Sequence, residues 1–124
     1  MADRFEDHRG VIEDLLITPL DGVTRIVTHQ GAVRGNHVHN RTTQWAYVVS
    51  GRLAVVTEKD GYRKRREYGP GEMSCEDPGV PHAWVALEDT VCLVFTRGPR
   101  TGGEGYEDDV VRLDRPLIDP GGRG

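Results

Sequence analysis

Glycine and proline interrupt this chain so often that a long helix has no room to form. Sixteen glycines and seven prolines are spread over 124 residues. Both residue types weaken helix interiors and mark turns. Between them lie short runs rich in valine, isoleucine, leucine, threonine and aromatics. Residues 11–17, 23–29, 44–50, 52–58, 82–87 and 90–96 read as strands, and 62–68 as a further one. No stretch sustains an apolar period of 3.6. Ser50-Gly51 and Asp60-Gly61 are tight-turn signals, and the second predicts a hairpin into Tyr62. Many short strands with such turns predict an all-β sandwich, jelly roll or small closed barrel, which can hold one small ligand inside.

The length suits a single domain over 1–124, with 98–124 as a glycine- and proline-rich C-terminal arm and a frayed end. A net charge of -4 argues against nucleic acid as a partner, which would call for a basic face. The one basic cluster, Arg63-Lys64-Arg65-Arg66, reads as the solvated face of a hairpin. No apolar run is long enough to span a bilayer, and the first residues do not form a secretory leader, so the expected location is cytoplasmic and no membrane partner is expected. Cys75 and Cys92 read as small buried strand residues in a reducing compartment rather than a disulfide.

The chemistry concentrates in two places. His37 and His39 flank Val38. In an extended segment, side chains two apart share a face, roughly 6.5 Å apart along the strand. Both imidazoles then reach one metal ion or one substrate atom. The second place is Asp77-Pro78-Gly79-Val80-Pro81-His82, where the prolines and glycine set a stiff turn that aims His82 at the start of a strand. Three histidines so placed predict a functional pocket. His8 reads as a surface residue, and His29 receives no role.

These two segments resemble the paired motifs of the cupin superfamily. The first is Gly, five residues, His-x-His, three or four residues, Glu, six residues, Gly; here Gly31, His37, His39, Gln44 and Gly51 fall on it. The second is Gly, five residues, Pro-x-Gly-x-x-His, three residues, Asn; here Gly71, Gly79 and His82 fall on it. The match runs over residues 31–51 and 71–86. The resemblance implies a single-domain cupin β-barrel, a double-stranded β-helix or jelly roll with little helix. It also implies a homodimer in which an N-terminal strand such as 11–17 is exchanged. The sequence departs from the pattern at three positions. Gln44 stands where a ligand glutamate is usual, Asp77 stands at the motif proline with Pro78 one place later, and Ala86 replaces the asparagine. A metal set of His37, His39, Gln44 and His82 has neutral ligands only. It suits one divalent Zn, Fe, Ni, Mn or Cu ion, held more weakly than with a carboxylate.

A narrower resemblance comes from Arg34-Gly35-Asn36-His37-Val38-His39, followed by Gln44. It is similar to the Arg-Gly-x-His-x-His segment of nucleotide-linked 3,4-ketoisomerases and to the cupin domain of a capsular-sugar enzyme. Asp7-His8-Arg9-Gly10 resembles the Asp-x-Arg-Gly near the start of these isomerases and related epimerases, and the stretch from Gly105 to Leu113 resembles their tails. The resemblance implies an isomerase or epimerase of a nucleotide-linked keto-deoxy sugar working without metal. His37 and His39 would then be the acid–base pair. Arg34 and Gln44 would bind enediolate oxygens, Arg34 or Arg9 the diphosphate, and Tyr47, Trp84 or Trp45 would stack on the substrate. A metal-dependent cupin such as a dioxygenase, and a non-catalytic small-ligand binder, are the alternatives.

Overall fold

The computed structural model describes residues 3–99 and 109–120. The chain forms β1 (Arg4–Asp7), β2 (Gly10–Glu13), β3 (Gly22–Thr28), β4 (Val33–His39), β5 (Thr43–Ser50), β6 (Leu53–Lys59), β7 (Tyr62–Tyr68), β8 (Met73–Glu76), β9 (His82–Ala86), β10 (Thr90–Arg97) and β11 (Val110–Arg112). β1 and β2 form a two-stranded hairpin. The others form a four-stranded sheet in the order β3-β10-β5-β8 and a five-stranded sheet in the order β11-β4-β9-β6-β7. The all-β expectation holds. The architecture is a two-sheet jelly roll in which the hydrogen-bonded ladders of the described residues do not run from one sheet into the other.

Period-two alternation decides what lies between the sheets. Ala46 and Val48 of β5 point inward, with Cys92 and Val94 of β10 and the partly buried Ile26 of β3. They meet Leu53 and Val55 of β6, Tyr68 of β7 and Trp84 of β9. A fully buried side chain such as Leu53 contributes roughly 1.5–3 kcal/mol. The outer face of the five-stranded sheet has its own apolar layer. Ala83, Val33, Val56 and Val85 are covered by Leu113, Leu117 and Ile118 returning from the C-terminal side. Of the expected arm, residues 100–108 and 121–124 lie outside the described residues.

The β6–β7 hairpin closes as its turn residues require. Asp60 (φ 52°) and Gly61 (φ 80°) both take the left-handed conformation, between the paired Lys59 and Tyr62. β7 is an edge strand whose residues 62–66 are exposed, and the basic cluster is its solvated face. Arg63 pairs with Glu58 at 3.0 Å and Arg65 with Glu67 at 2.7 Å. Charges on an exposed edge guard it against pairing with another sheet.

Two expectations are corrected. The strand expected over residues 11–17 ends at Glu13, because its partner β1 begins at Arg4, opposite Glu13, and only the bond from Asp14 N to Asp3 O continues the pairing. Leu15, Leu16 and Ile17 therefore have no ladder to join. Cys75 is exposed, because the alternation of β8 turns Ser74 and Glu76 inward; Cys92 is buried as expected, and both thiols are free.

The feature that positions the site is a β-bulge in β4. Gly35 faces Ala83 and His37 faces His82, so Asn36 is an extra residue on one strand. Gly35 (φ 90°) and Asn36 (φ 57°) are both left-handed. The Asn36 side chain is tied to the C-terminal segment. Its Oδ1 accepts from Leu117 N at 2.8 Å and Ile118 N at 3.1 Å, and its Nδ2 donates to Ile118 O at 2.9 Å. A Cβ at position 35 would meet the His82 carbonyl oxygen at 3.0 Å and the Ala83 Cα at 3.2 Å. Gly35→Ala is therefore expected to lower the unfolding free energy by about 1–3 kcal/mol, measured as a lower denaturation midpoint. An unchanged midpoint would mean that the bulge relaxes freely.

Candidate functional site

The bulge changes which side chains share a face. In an uninterrupted strand Arg34 would point away from His37 and His39. With Asn36 inserted, Arg34 stands opposite Trp84 and His37 opposite His82, and all four line one cavity. The cavity has a volume of ≈ 820 Å³. Its wall includes Ile26 from β3, His39 from β4, Gln44 from β5, and Val110, Arg112 and Leu113 from the C-terminal return.

The three histidine rings converge. Centroid distances are 4.8 Å for His37–His39, 4.7 Å for His37–His82 and 5.6 Å for His39–His82. One ring nitrogen from each lies within 4.8 Å of the others. His37 Nε2 and His82 Nε2 are 3.1 Å apart. His82 Nδ1 lies 3.4 Å from the Val80 carbonyl, which can only accept, so Nδ1 carries the proton and Nε2 receives one from His37. Burial, followed by the neighbouring imidazoles of His37 and His39, pushes the His82 pKa down to about 3. His82 is therefore neutral at physiological pH.

His39 is held differently. It is 3 % exposed, and its Nδ1 lies 3.1 Å from Oδ2 of Asp109, which is fully buried. The carboxylate also accepts from Thr42 Oγ1 at 2.6 Å and from the backbone N–H of Arg41 at 2.5 Å. Burial raises the Asp109 pKa, but the bonds from Thr42, Arg41 and His39 outweigh it and hold the group below the ordinary aspartate range. An acceptor at Nδ1 fixes the tautomer of His39 and leaves Nε2 as its basic nitrogen. β11 delivers Asp109 by pairing Val110 with His39.

A second buried carboxylate lies behind the wall. Glu76 is 2 % exposed and stands directly opposite Gln44 in the β5–β8 ladder. Its Oε1 accepts from Trp84 Nε1 at 2.7 Å, and Oε2 from Ser74 Oγ at 3.2 Å. Gln44 is its third donor. Burial pushes its pKa up to about 7, opposed by bonds from Trp84, Ser74 and Gln44.

The structure thus brings together His37, His39, His82, Gln44, Arg34 and Trp84. The guanidinium of Arg34 is steadied by Nε to Thr28 Oγ1 at 2.9 Å and Nη2 to the Val27 carbonyl at 3.0 Å. Tyr47 is not among them. Gln44, Ala46 and Val48 are the buried positions of β5, and Tyr47 and Trp45 alternate onto its other face, away from the cavity wall. Arg9 is bonded to Asp7 in the β1–β2 turn and does not line the cavity. His8 and His29 are exposed. Sequence reasoning missed Asp109 and Glu76. Position 76 carried one usable signal: in a strand through residues 73–76 it shares a face with Ser74.

The cupin domain family matches residues 24–96. Among solved structures, the sugar 3,4-ketoisomerase QdtA from Thermoanaerobacterium thermosaccharolyticum, in complex with TDP, aligns with a TM-score of 0.73 at 17% identity, covering 90% of this chain and 84% of that one. The dTDP-4-dehydrorhamnose 3,5-epimerase from Sulfolobus tokodaii aligns with a TM-score of 0.62 at 21% identity, covering 80% and 68%. The capsular polysaccharide assembling protein CapF from Staphylococcus aureus aligns with a TM-score of 0.61 at 22% identity, covering 93% of this chain and 33% of that one. No curated protein sequence matches the chain. At these identities the structural likeness speaks to the fold. No helix among the described residues is long and apolar enough to cross a membrane. With the family match extending over more than half of its length, this chain belongs to the cupin domain family.

Proposed function

We propose that this protein is an isomerase or epimerase that moves a proton at the carbon beside the ketone of a nucleotide-linked keto-deoxy sugar. The observation that carries the reading is the buried His39–Asp109 pair, opening on the same cavity as His37, whose Nε2 lies 3.1 Å from that of a neutral His82. A base and an acid of opposite character then face one substrate. The 3,5-epimerase is named for a sugar of this class, and the sugar 3,4-ketoisomerase QdtA has been solved, as a point mutant, in complex with TDP-4-keto-6-deoxyglucose.

The steps follow from the tautomers. His39 Nε2 takes the proton from the carbon next to the ketone, and Asp109 steadies the imidazolium that forms. The C–H electron pair becomes a C=C bond, and the ketone oxygen gains negative charge. His37 donates its Nε2–H to that oxygen, giving the enediol. For isomerisation the neighbouring hydroxyl returns a proton to His37 as its oxygen becomes the new ketone. The proton on His39 then goes to the former keto carbon. For epimerisation a proton returns to the original carbon from the other face. Arg34, with donors beyond the two used on Thr28 and Val27, pairs with the diphosphate. Trp84 offers a ring to the sugar or base. The other partner in this reading is a second copy of the chain, for which the exposed Phe5, Ile12, Ile17 and Val23 offer apolar surface. Two free cysteines suit a cytoplasmic setting.

A second reading rests on the mutual approach of the three imidazole nitrogens within 4.8 Å. His37, His39 and His82, with Gln44, would hold one divalent transition metal, which would act as a Lewis acid on a substrate oxygen. Elemental analysis of protein purified without chelator separates the readings. The acid–base reading expects full turnover after EDTA treatment, and loss of turnover restored by added metal would replace it.

Incubation with TDP-4-keto-6-deoxyglucose in deuterated water is expected to place ring deuterium on the sugar, read as a mass gain. His39→Asn should slow this exchange by roughly 10²–10⁴-fold, and Asp109→Asn by roughly 10–100-fold. An unlabelled sugar from wild-type protein, across a panel of nucleotide-linked keto sugars, would sink the reading. A check without substrate uses the depressed pKa of Asp109. Its ionised form stabilises the fold above the ordinary aspartate pKa, and that contribution is lost as pH falls through and below about 4. The stability advantage of wild type over Asp109→Asn should therefore be full near neutrality and shrink on acidification, followed by denaturant midpoints. An advantage independent of pH would mean that the carboxylate is not ionised in the fold.

A further inference from the structure

The C-terminal return brings two charged residues to the site. Asp109, just before β11, goes behind His39. Arg112, the last residue of β11, is the direct cross-strand partner of His37. The register is fixed at both ends, by Asn40 N to the Asp109 carbonyl at 2.8 Å and Leu113 N to the Asn36 carbonyl at 2.9 Å. Residues two apart on a strand share a face. Val110 and Arg112 accordingly line the cavity, and Val111 between them does not.

The charge on this wall is one-sided. Arg34 and Arg112 line the cavity, and no aspartate or glutamate among the described residues does. Elsewhere arginines are matched by carboxylates: Arg9 by Asp7, Arg63 by Glu58, Arg52 and Arg65 by Glu67. The Arg112 side chain has no such partner among the described residues. A chain of net charge -4 thus keeps a positive wall around its cavity, and a cleft lined by one sign of charge draws ligands of the other.

We propose that Arg112 is a second anion-binding residue of this site, closing with Arg34 on the two phosphates of a nucleoside diphosphate. The two cations come from opposite sheets. The Arg34 guanidinium is held against β3 by Thr28 and Val27, whereas Arg112 stands on the edge strand of the five-stranded sheet. A diphosphate between them offers one phosphate to each, and the planar fork of a guanidinium fits phosphate oxygens. A monophosphate can satisfy only one. The ligand is thereby oriented. Its anionic end lies beside His37, which is partly buried, and the group beyond the phosphates reaches His39, which is 3 % exposed. That this group is a keto sugar rests on the isomerase reading above, whereas the anion site does not.

Calorimetric titration with TDP, TMP and inorganic pyrophosphate compares wild type, Arg112→Gln and Arg115→Gln. Arg115 is exposed and does not line the cavity, so its loss removes the same charge from the protein and no contact from the site. Arg112→Gln is expected to weaken TDP and pyrophosphate by about 10–100-fold, and Arg115→Gln to change them by less than about twofold. Wild type should bind TDP more tightly than TMP. Unchanged TDP affinity in Arg112→Gln, equal losses in the two variants, TMP bound as tightly as TDP, or a wild type that does not bind TDP would each overturn the proposal. Should Arg112→Gln fail to fold, wild type still decides. In nitrogen-edited NMR spectra the Arg112 Nε–H signal is expected to move on addition of pyrophosphate while that of Arg115 stays, and an unmoved Arg112 signal would overturn the assignment.

In the deuterium-exchange assay, Arg112→Gln should raise KM for the TDP-linked keto sugar by the same factor, with a smaller change in kcat. Exchange with an unchanged KM would overturn the role of Arg112 and leave the isomerase reading standing. Binding of TDP that depends on Arg112, with no exchange on any keto sugar, would support the anion site and refute that reading.

Discussion

A single extra residue in β4 sets the arrangement of the cavity. Strand alternation alone would put Arg34 and the two histidines of β4 on opposite faces. The bulge at Gly35-Asn36 cancels one step of the alternation, and its cost in left-handed backbone is met on both sides. Glycine removes the Cβ that would press on the His82–Ala83 backbone, and asparagine is the side chain that tolerates this conformation best while reaching a partner. The partner is the segment around Leu117 and Ile118, which also seals the outer apolar face. Backbone irregularity, cation placement and the packing of the chain's end are thus one feature.

Electrostatics in the cavity follow from burial. Three imidazoles sit close together, and a second positive charge among them would be costly. The structure keeps His82 neutral and gives His39 an anionic partner in Asp109. The two carboxylates near the site take different roles through their surroundings. Asp109, bonded by three donors of which one is an imidazole, is held ionised. Glu76, deep between the sheets, is kept near neutrality in its titration. Every buried side-chain nitrogen and oxygen among the described residues has a partner, so the polar wall is rigid rather than strained.

What the sequence revealed depended on local spacing. The hairpin at Asp60-Gly61 and the strands at 23–29 and 90–96 rest on rules that operate within a few residues, whereas bringing His37 to His82, 45 positions away, took the resemblance to the paired motifs. Tyr47 stands off the cavity wall, because the alternation of β5 puts it on the face opposite Gln44, and aromatic residues in a strand look alike from either face. Cys75 was misjudged for the same reason on β8. Asp109 was out of reach for another reason. It lies 70 positions from His39, in a stretch already crowded with acidic residues, and no local pattern marks which of several carboxylates will meet an imidazole.

The route by which Asp109 arrives has a consequence for how such chains are recognised. Both histidine motifs, and the family match itself, end before the C-terminal return begins. A fragment stopping after β10 would carry every signature residue and yet lack the group that orients His39. It would also lack Leu117 and Ile118, leaving one side of a sheet bare. Completeness in a protein of this kind is therefore better judged by its final strand than by its motifs.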